Sequence, residues 1–274
     1  RLSLEFQLNE NHIPKVIHYI WFGNKDLPEE AIECIESWKK FCPDYEIKRW
    51  DESNFDLSSN NYVKQAYEAK KWAFVSDYAR LWILVNEGGI YMDTDVEVLK
   101  SLDPFLTNRA FSGFESDASV PTGIMACEKG FPLFRKLLND YDVRSFIKSD
   151  GSYDLTTNVV VITKACKALG LKLDNTMQTV DGFTLYPSDW FCPKSHESGD
   201  IHLTENSVTI HHFNGSWIDE VERGLLKERR RFLTRHSWVN PMLAGLIVRL
   251  QYGFKTNDFG PLTSALKAFF TNRN

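Results

Sequence analysis

A chain of 274 residues with 43% hydrophobic and 14% aromatic content holds enough apolar material for one large core, or a core with an appendage. No stretch approaches the roughly 18 apolar residues of a membrane span and no basic start leads into an apolar block, so neither a spanning helix nor a secretory leader is predicted. The net charge of −5 is uneven: from Arg223 onward ten Lys/Arg stand against two acids, whereas the preceding part carries 22 basic and 35 acidic residues, a balance that argues against nucleic acid as a partner.

Five cysteines, Cys34, Cys42, Cys127, Cys166 and Cys192, are odd in number and scattered. They read as reduced thiols rather than a disulfide framework or a CxxC metal site, which points to the cytoplasm. In chain order, residues 15–21 (KVIHYIW) predict a strand. Residues 28–41 follow with an early proline, acids first and lysines last, the pattern of a helix. Residues 45–50 predict a second strand, and 61–86 a helical region stopped by Gly88-Gly89. Further strands are expected at 111–114, 123–127, 183–187 and 207–213, with helices near 131–141 and 156–169. Strands alternating with helices predict an α/β fold with a mostly parallel sheet, ligands gathering at the carboxyl ends of its strands. Beyond Trp217 the pattern turns helical and basic. The division predicted is a domain over 1–222 and a basic amphipathic helical extension over 223–274.

Residues 88–99 read GGIYMDTDVEVL. If they form one extended strand, Tyr91, Asp93, Asp95 and Glu97 share a face. Two neighbouring carboxylates repel unless one takes a proton or a cation sits between them, and oxygen ligands suit Mg²⁺ or Mn²⁺. The plain alternative is a strand end running into water with both acids hydrated. Asp77 and Arg80, three apart in SDYAR, are a surface ion pair on an ordinary helix; the apolar residues around them predict a buried helix instead, where a charged pair needs a reason.

The segments IPKVIHYIWFG, CIESWKKFCPDYEIKRWDE, KWAFVSDYARLWILVNEGGIYMDTDVEV and HHFNGSW stand in order and spacing similar to those of glycosyltransferase family 32, over roughly residues 13–218. That family includes capsular-polysaccharide transferases and mannosyltransferases, and is related to the glucosylating domains of large clostridial toxins. The resemblance implies a GT-A fold and a retaining transferase that uses Mn²⁺ or Mg²⁺, a nucleotide-sugar donor, in first place a UDP-sugar, and a glycan acceptor, free or lipid-linked. It implies catalytic roles for Asp77, Arg80, Asp93 and Asp95. Asp95 would be the direct metal ligand, Asp93 would hold metal or ribose, and His212, with His211 second, would complete the metal site. Trp21 would stack on the base and Tyr91 counts with it on the donor side, while Ser216 and Trp217 would close over the diphosphate. Many relatives carry Thr-Gly-Pro where Thr156-Thr157-Asn158 stands here, so the acceptor side is not carried over.

Two other readings compete. MDTDV fits the opening of a haloacid-dehalogenase-type phosphatase, in which Asp93 would form an aspartyl-phosphate; that motif normally opens its domain, and Asp150 and Asp154 are a faint echo of its acidic partner. The second is a carbohydrate- or membrane-binding protein without turnover. The basic stripes at 223–236, 242–250 and 261–271 suit either a helix lying on an anionic membrane, at the inner face of the plasma membrane, or helices packed on the catalytic domain.

Overall fold

The computed structural model describes residues 10–115, 119–215 and 220–271. Contacts divide the chain into two compact units, one of Arg1–Pro193 with His202–His212 and one of Lys194–Ile201 with Phe213–Asn274.

The first unit is built on a seven-stranded sheet in the order β2-β1-β3-β6-β5-β8-β7. Its strands are β1 (Val16–Ile20), β2 (Glu46–Trp50), β3 (Gly89–Met92), β5 (Ala110–Gly113), β6 (Ile124–Cys127), β7 (Gln178–Val180) and β8 (Phe183–Tyr186). The α/β class is as predicted, but the sheet is mixed rather than mostly parallel. β1 pairs parallel with β2 and β3, and β5 with β8, while β3–β6, β5–β6 and β7–β8 are antiparallel. Because β6 runs against both of its neighbours, β1, β3 and β5 end on one edge and β6 begins there. The strands β3, β5, β6 and β8 are buried at every position.

Helix α1 (Glu29–Phe41) shows the predicted order of charges, Glu29 and Glu30 in its first turn and Lys39 and Lys40 in its last, which suits its dipole. It buries Ala31, Cys34, Ile35 and Trp38, the i, i+3, i+4, i+7 stripe of an amphipathic helix. The predicted helical region at 61–86 is two helices, α2 (Asn61–Glu68) and α3 (Trp72–Glu87), broken where Lys70 adopts φ +55°. Asn60 caps α2, accepting from the N–H groups of Tyr62 and Val63. Gly88 (φ +68°) and Gly89 (φ +105°) end α3 and start β3; a Cβ on Gly89 would stand 2.8 Å from the carbonyl oxygen of Val16, so only glycine fits this return. His18 locks the same corner. Its Nδ1 accepts from the Trp50 indole at 3.1 Å and its Nε2 lies 2.8 Å from the Gly88 carbonyl. Burial holds its pKa below the ordinary value, so the ring is neutral with its proton on Nε2.

Residues 88–99 are not one strand. A turn closed by the Val96 N–H to Asp93 carbonyl bond at 3.0 Å separates β3 from β4 (Val96–Val98). β4 leaves the main sheet and pairs antiparallel with β9 (Thr209–His211) in a ribbon of two. Helix α1 fixes that ribbon: the Trp38 indole donates to the Val96 carbonyl at 2.7 Å, and the Ser37 hydroxyl accepts the Val98 N–H at 2.9 Å. Helix α4 (Pro132–Asn139), α5 (Asn158–Ala168) and the short α6 (Ser188–Phe191) complete this unit. All five cysteines are buried thiols.

The second unit carries α7 (Glu220–Arg235), α8 (Pro241–Thr256) and α9 (Gly260–Thr271), the basic helical region predicted from sequence. α7 packs on α8 and α8 on α9. Leu233, Val239 and Ala244 form its core, and Asn240 caps α8 through the N–H groups of Met242 and Leu243. Among the described residues no helix is long and apolar enough to cross a membrane.

Candidate active site

The two aspartates converge through the turn, not through the pleat of a strand. Asp93 follows the last residue of β3, where its N–H donates to the Gly123 carbonyl at 2.8 Å, and the turn then brings Asp95 round beside it. The Asp95 carbonyl accepts the His212 N–H at 2.9 Å, which ties the turn to the end of β9. His211, opposite Val96 in the ribbon, completes a group. Its Nε2 lies 3.1 Å from Asp95 Oδ1 and 3.6 Å from Asp93 Oδ2, and one ligating atom from each of the three residues falls within 4.8 Å of the others. The side chains of Asp95 and His211 are 12% and 11% exposed and that of Asp93 27%, so the group opens to solvent on the Asp93 side.

The predicted order of the two histidines is reversed. Successive residues of a strand face opposite sides; His211 takes the side of the aspartates, and His212 turns to Glu97, its Nε2 2.8 Å from Oε2. Burial alone would lower the His211 pKa, but the charge and hydrogen bond of Asp95, a hydrogen bond with Cys192 and the charge of Asp93 outweigh it and hold it well above the usual value. Without a cation, an imidazolium keeps the two carboxylates together. A divalent ion would take over that role, and a set of two carboxylates and one imidazole suits Mn²⁺.

That exchange has a pH signature of two opposite signs. A raised histidine pKa contributes stability that is complete below about pH 6.5 and is lost as pH rises through the folded-state value. A divalent ion bound by these three residues would have to displace the same proton, so affinity for Mn²⁺, if it binds here, is expected to rise with pH over that window. Thermal unfolding from pH 6 upward, with EDTA and with Mn²⁺, checks both: the metal-free melting point falls while the gain from Mn²⁺ grows.

Behind the aspartates lies a second charged group. Asp77 and Arg80 on α3 are 7% and 6% exposed, so they are not a surface pair. Arg80 Nη1 donates to the Thr122 carbonyl at 2.6 Å, Nη2 stands 3.7 Å from Asp77 Oδ1 and 3.5 Å from Asp93 Oδ1, and the guanidinium lies 4.6 Å over the Tyr91 ring. The buried Tyr91 donates its hydroxyl to Asp93 Oδ1 at 2.7 Å. Asp77 reaches the other way, its Oδ2 accepting the N–H of Asn158, first residue of α5, at 2.9 Å, while Asn158 Nδ2 donates to the Asp77 carbonyl at 2.6 Å. Thr157 offers α5 no side-chain cap, so Asp77 caps that helix from outside the chain segment. Burial raises the Asp77 pKa, opposed by Arg80 and the Asn158 N–H.

Four contributors carried no predicted role in the site: Gly123, Cys192, Asn158 and Glu115. Gly123 begins the run into β6, and a Cβ there would stand 2.6 Å from Cε1 and 2.7 Å from Nδ1 of His211. A glycine at a strand end marks close approach of another group, and that group is the histidine ring. Replacing Gly123 by Ala is expected to displace His211, weakening Mn²⁺ binding by about ten- to a hundredfold, as loss of an outer-shell support does; calorimetric titration checks it. Glu115, past the end of β5, is held above the usual carboxyl range by burial, with His211 opposing and Asp93 adding to the shift.

Trp21 stands half-buried just beyond β1, its backbone N–H donating to the Trp50 carbonyl at 2.9 Å and its indole to the Lys25 carbonyl at 2.7 Å. It shares the sheet edge with Asp93. Ser216 and Trp217 lie outside the described residues. The phosphatase reading wants its aspartate after the first strand of its domain, whereas Asp93 follows the third strand of this one.

Residues 28–112 match the family described as the glycosyltransferase sugar-binding region containing a DXD motif. The chain is 33% identical over 198 residues to an uncharacterised glycosyltransferase of Acanthamoeba polyphaga mimivirus, a match that covers 67% of this chain and 76% of that one. It is 31% identical over 132 residues to inositol phosphoceramide mannosyltransferase 3 of Schizosaccharomyces pombe, covering 47% of this chain and 37% of the relative. The chain thus spans about a third of the length of the fungal mannosyltransferases it matches, 37% and 34% for two of them. A glycosyltransferase involved in glycosylation of the major capsid of PBCV-1 superposes with a TM-score of 0.40 at 11% identity, over 77% of this chain and 99% of that one, a partial likeness that adds no weight. The sequence matches decide the matter: the chain belongs to the glycosyltransferase family whose sugar-binding region contains the DXD motif, with Asp93-Thr94-Asp95 inside the matched region.

Proposed function

We propose that the chain is a metal-dependent, retaining glycosyltransferase that moves a sugar from a nucleotide donor, a UDP-sugar in the first place, to a glycan acceptor of a capsular or other cell-surface polymer. The observation that carries the reading is the convergence of Asp93, Asp95 and His211 within 4.8 Å at the edge where β1, β3 and β5 end. Asp95 and His211 are the buried ligands and Asp93 the one at the open side. A bound divalent ion supplies positive charge where the leaving diphosphate gains negative charge.

The rest of the work falls to the chain's own side chains. Arg80 holds Asp93 in place and, from its buried position, adds a permanent positive charge behind the site. Asp77 orients Arg80 and α5, and its Oδ1, 3.7 Å from Arg80 Nη2, is proposed to accept from donor-sugar hydroxyls. Trp21 offers an aromatic ring at the end of β1 for the base.

The experiment is a panel of UDP-, GDP- and TDP-sugars, including mannosyl donors because fungal relatives are named for mannosyl transfer, scored for hydrolysis with Mn²⁺ and with EDTA. Turnover of one nucleotide class with Mn²⁺ and none with EDTA is the expected result. Equal hydrolysis of unrelated phosphate esters would return the phosphatase reading, and metal-dependent binding without turnover the non-catalytic one.

A further inference from the structure

The second unit contains a helix, α8, that packs on α7 and α9 and still leaves an apolar row exposed. α8 buries Ala244, Gly245 and Val248. On the other side Leu243, Leu250 and Phe254 are 50%, 41% and 76% exposed. Their i, i+7, i+11 spacing returns them to one stripe about 40° wide. Met242 at 54% and Trp238 at 84%, in the turn before the helix, extend the apolar surface at one end, and Phe270 of α9 is 65% exposed. Single exposed apolar residues need no explanation, but an aligned row on one helix marks a surface that meets something.

Charge and length say what. Lys227, Arg231 and Arg235 recur at four-residue spacing on the exposed side of α7, and Lys255 and Lys267 are exposed on α8 and α9. The exposed acids of these helices are fewer, Glu220, Glu228 and Asp258. With 16 residues, α8 is about 24 Å long, short of the roughly 30 Å of a hydrocarbon core, and it carries Arg249, so it does not cross. A helix with an exposed apolar stripe beside a surplus of cations, too short to span, suits the plane of an anionic lipid surface.

We infer that the α7–α8–α9 unit docks on an anionic bilayer, Leu243, Leu250, Phe254 and Trp238 entering the interface and the exposed lysines and arginines meeting lipid phosphates. The inference rests on this unit alone and holds whatever donor the first unit uses.

The test is sedimentation of the full chain with vesicles of phosphatidylcholine containing phosphatidylglycerol and with vesicles of phosphatidylcholine alone. The wild type is expected to bind the anionic vesicles, more weakly as salt is raised, with the tryptophan emission moving to shorter wavelength. The variant Leu243→Ser, Leu250→Ser, Phe254→Ser, whose substitutions touch only exposed positions, is expected to bind at least about tenfold more weakly, and Arg231→Glu several-fold more weakly. Circular dichroism and melting point confirm that both variants are folded. Asp95→Asn, which disables the site of the first unit, is expected to bind vesicles like the wild type, so a failed transferase assay does not touch this result. Absence of binding, binding that the triple variant leaves unchanged, or self-association abolished by that variant would each overturn the inference, the last because a second copy would then be the occupant.

Discussion

Asp95→Asn is expected to lower Mn²⁺-dependent hydrolysis of the donor by about two to three orders of magnitude while leaving the melting point of the metal-free chain within a few degrees. The reasoning starts from charge. Asparagine keeps the shape and one acceptor oxygen but removes the negative charge that faces His211 at 3.1 Å. The histidine loses its main reason to stay protonated, so its pKa falls and it no longer serves as the internal counter-ion. The site keeps Asp93 and His211 as donors, too few and too weakly charged to hold a divalent ion at micromolar concentration. Calorimetry with Mn²⁺ and UDP, run beside the hydrolysis assay, separates lost binding from lost chemistry. Undiminished Mn²⁺ binding by Asp95→Asn would remove the aspartate from the metal site.

The second large effect is on stability. Arg80→Met is expected to destabilise the first unit by about 3–5 kcal/mol, because it strips the partner from a buried carboxylate and leaves the Thr122 carbonyl without its donor. Methionine fills most of the volume, which isolates the electrostatic part. Adding Asp77→Asn removes the orphaned charge and should recover a good part of the loss, because an amide still accepts the Asn158 N–H that caps α5. Urea unfolding of both singles and the double gives the coupling; additive losses would mean that Arg80 and Asp77 do not form a unit.

Much of this was legible in the residues. Helix α1 announces itself through its charges and its Ala31, Cys34, Ile35, Trp38 stripe, and the stop at Gly88-Gly89 through the one residue type that tolerates its backbone. The burial of α3 was readable in the apolar residues that surround Asp77 and Arg80, since a charged pair embedded in such a run has no water to fall back on. What was not legible depends on long-range pairing. GGIYMDTDVEVL has the alternation of one strand, and nothing local says that the chain turns at Asp93 and leaves the sheet. Only the pairing of Val96 with His211 reveals it. For the same reason, strand alternation could show that one of His211 and His212 faces the aspartates but not which one. Asn158 looked like a departure from a motif, and its role as the residue that Asp77 caps exists only in three dimensions. The mixed sheet follows from β6 running against its neighbours, a matter of connection rather than composition.

The two-stranded ribbon has a consequence for how the protein comes alive. Asp93 and Asp95 are made more than a hundred residues before the imidazole that joins them, which arrives only with residues 209–211, when nearly all of the first unit is present. A chain cut or stalled before that point would carry the signature of its family and still have no complete cation cradle. If Asp93, Asp95 and His211 hold the ion as proposed, a chain that ends before residue 209 is expected to bind no divalent ion at the site.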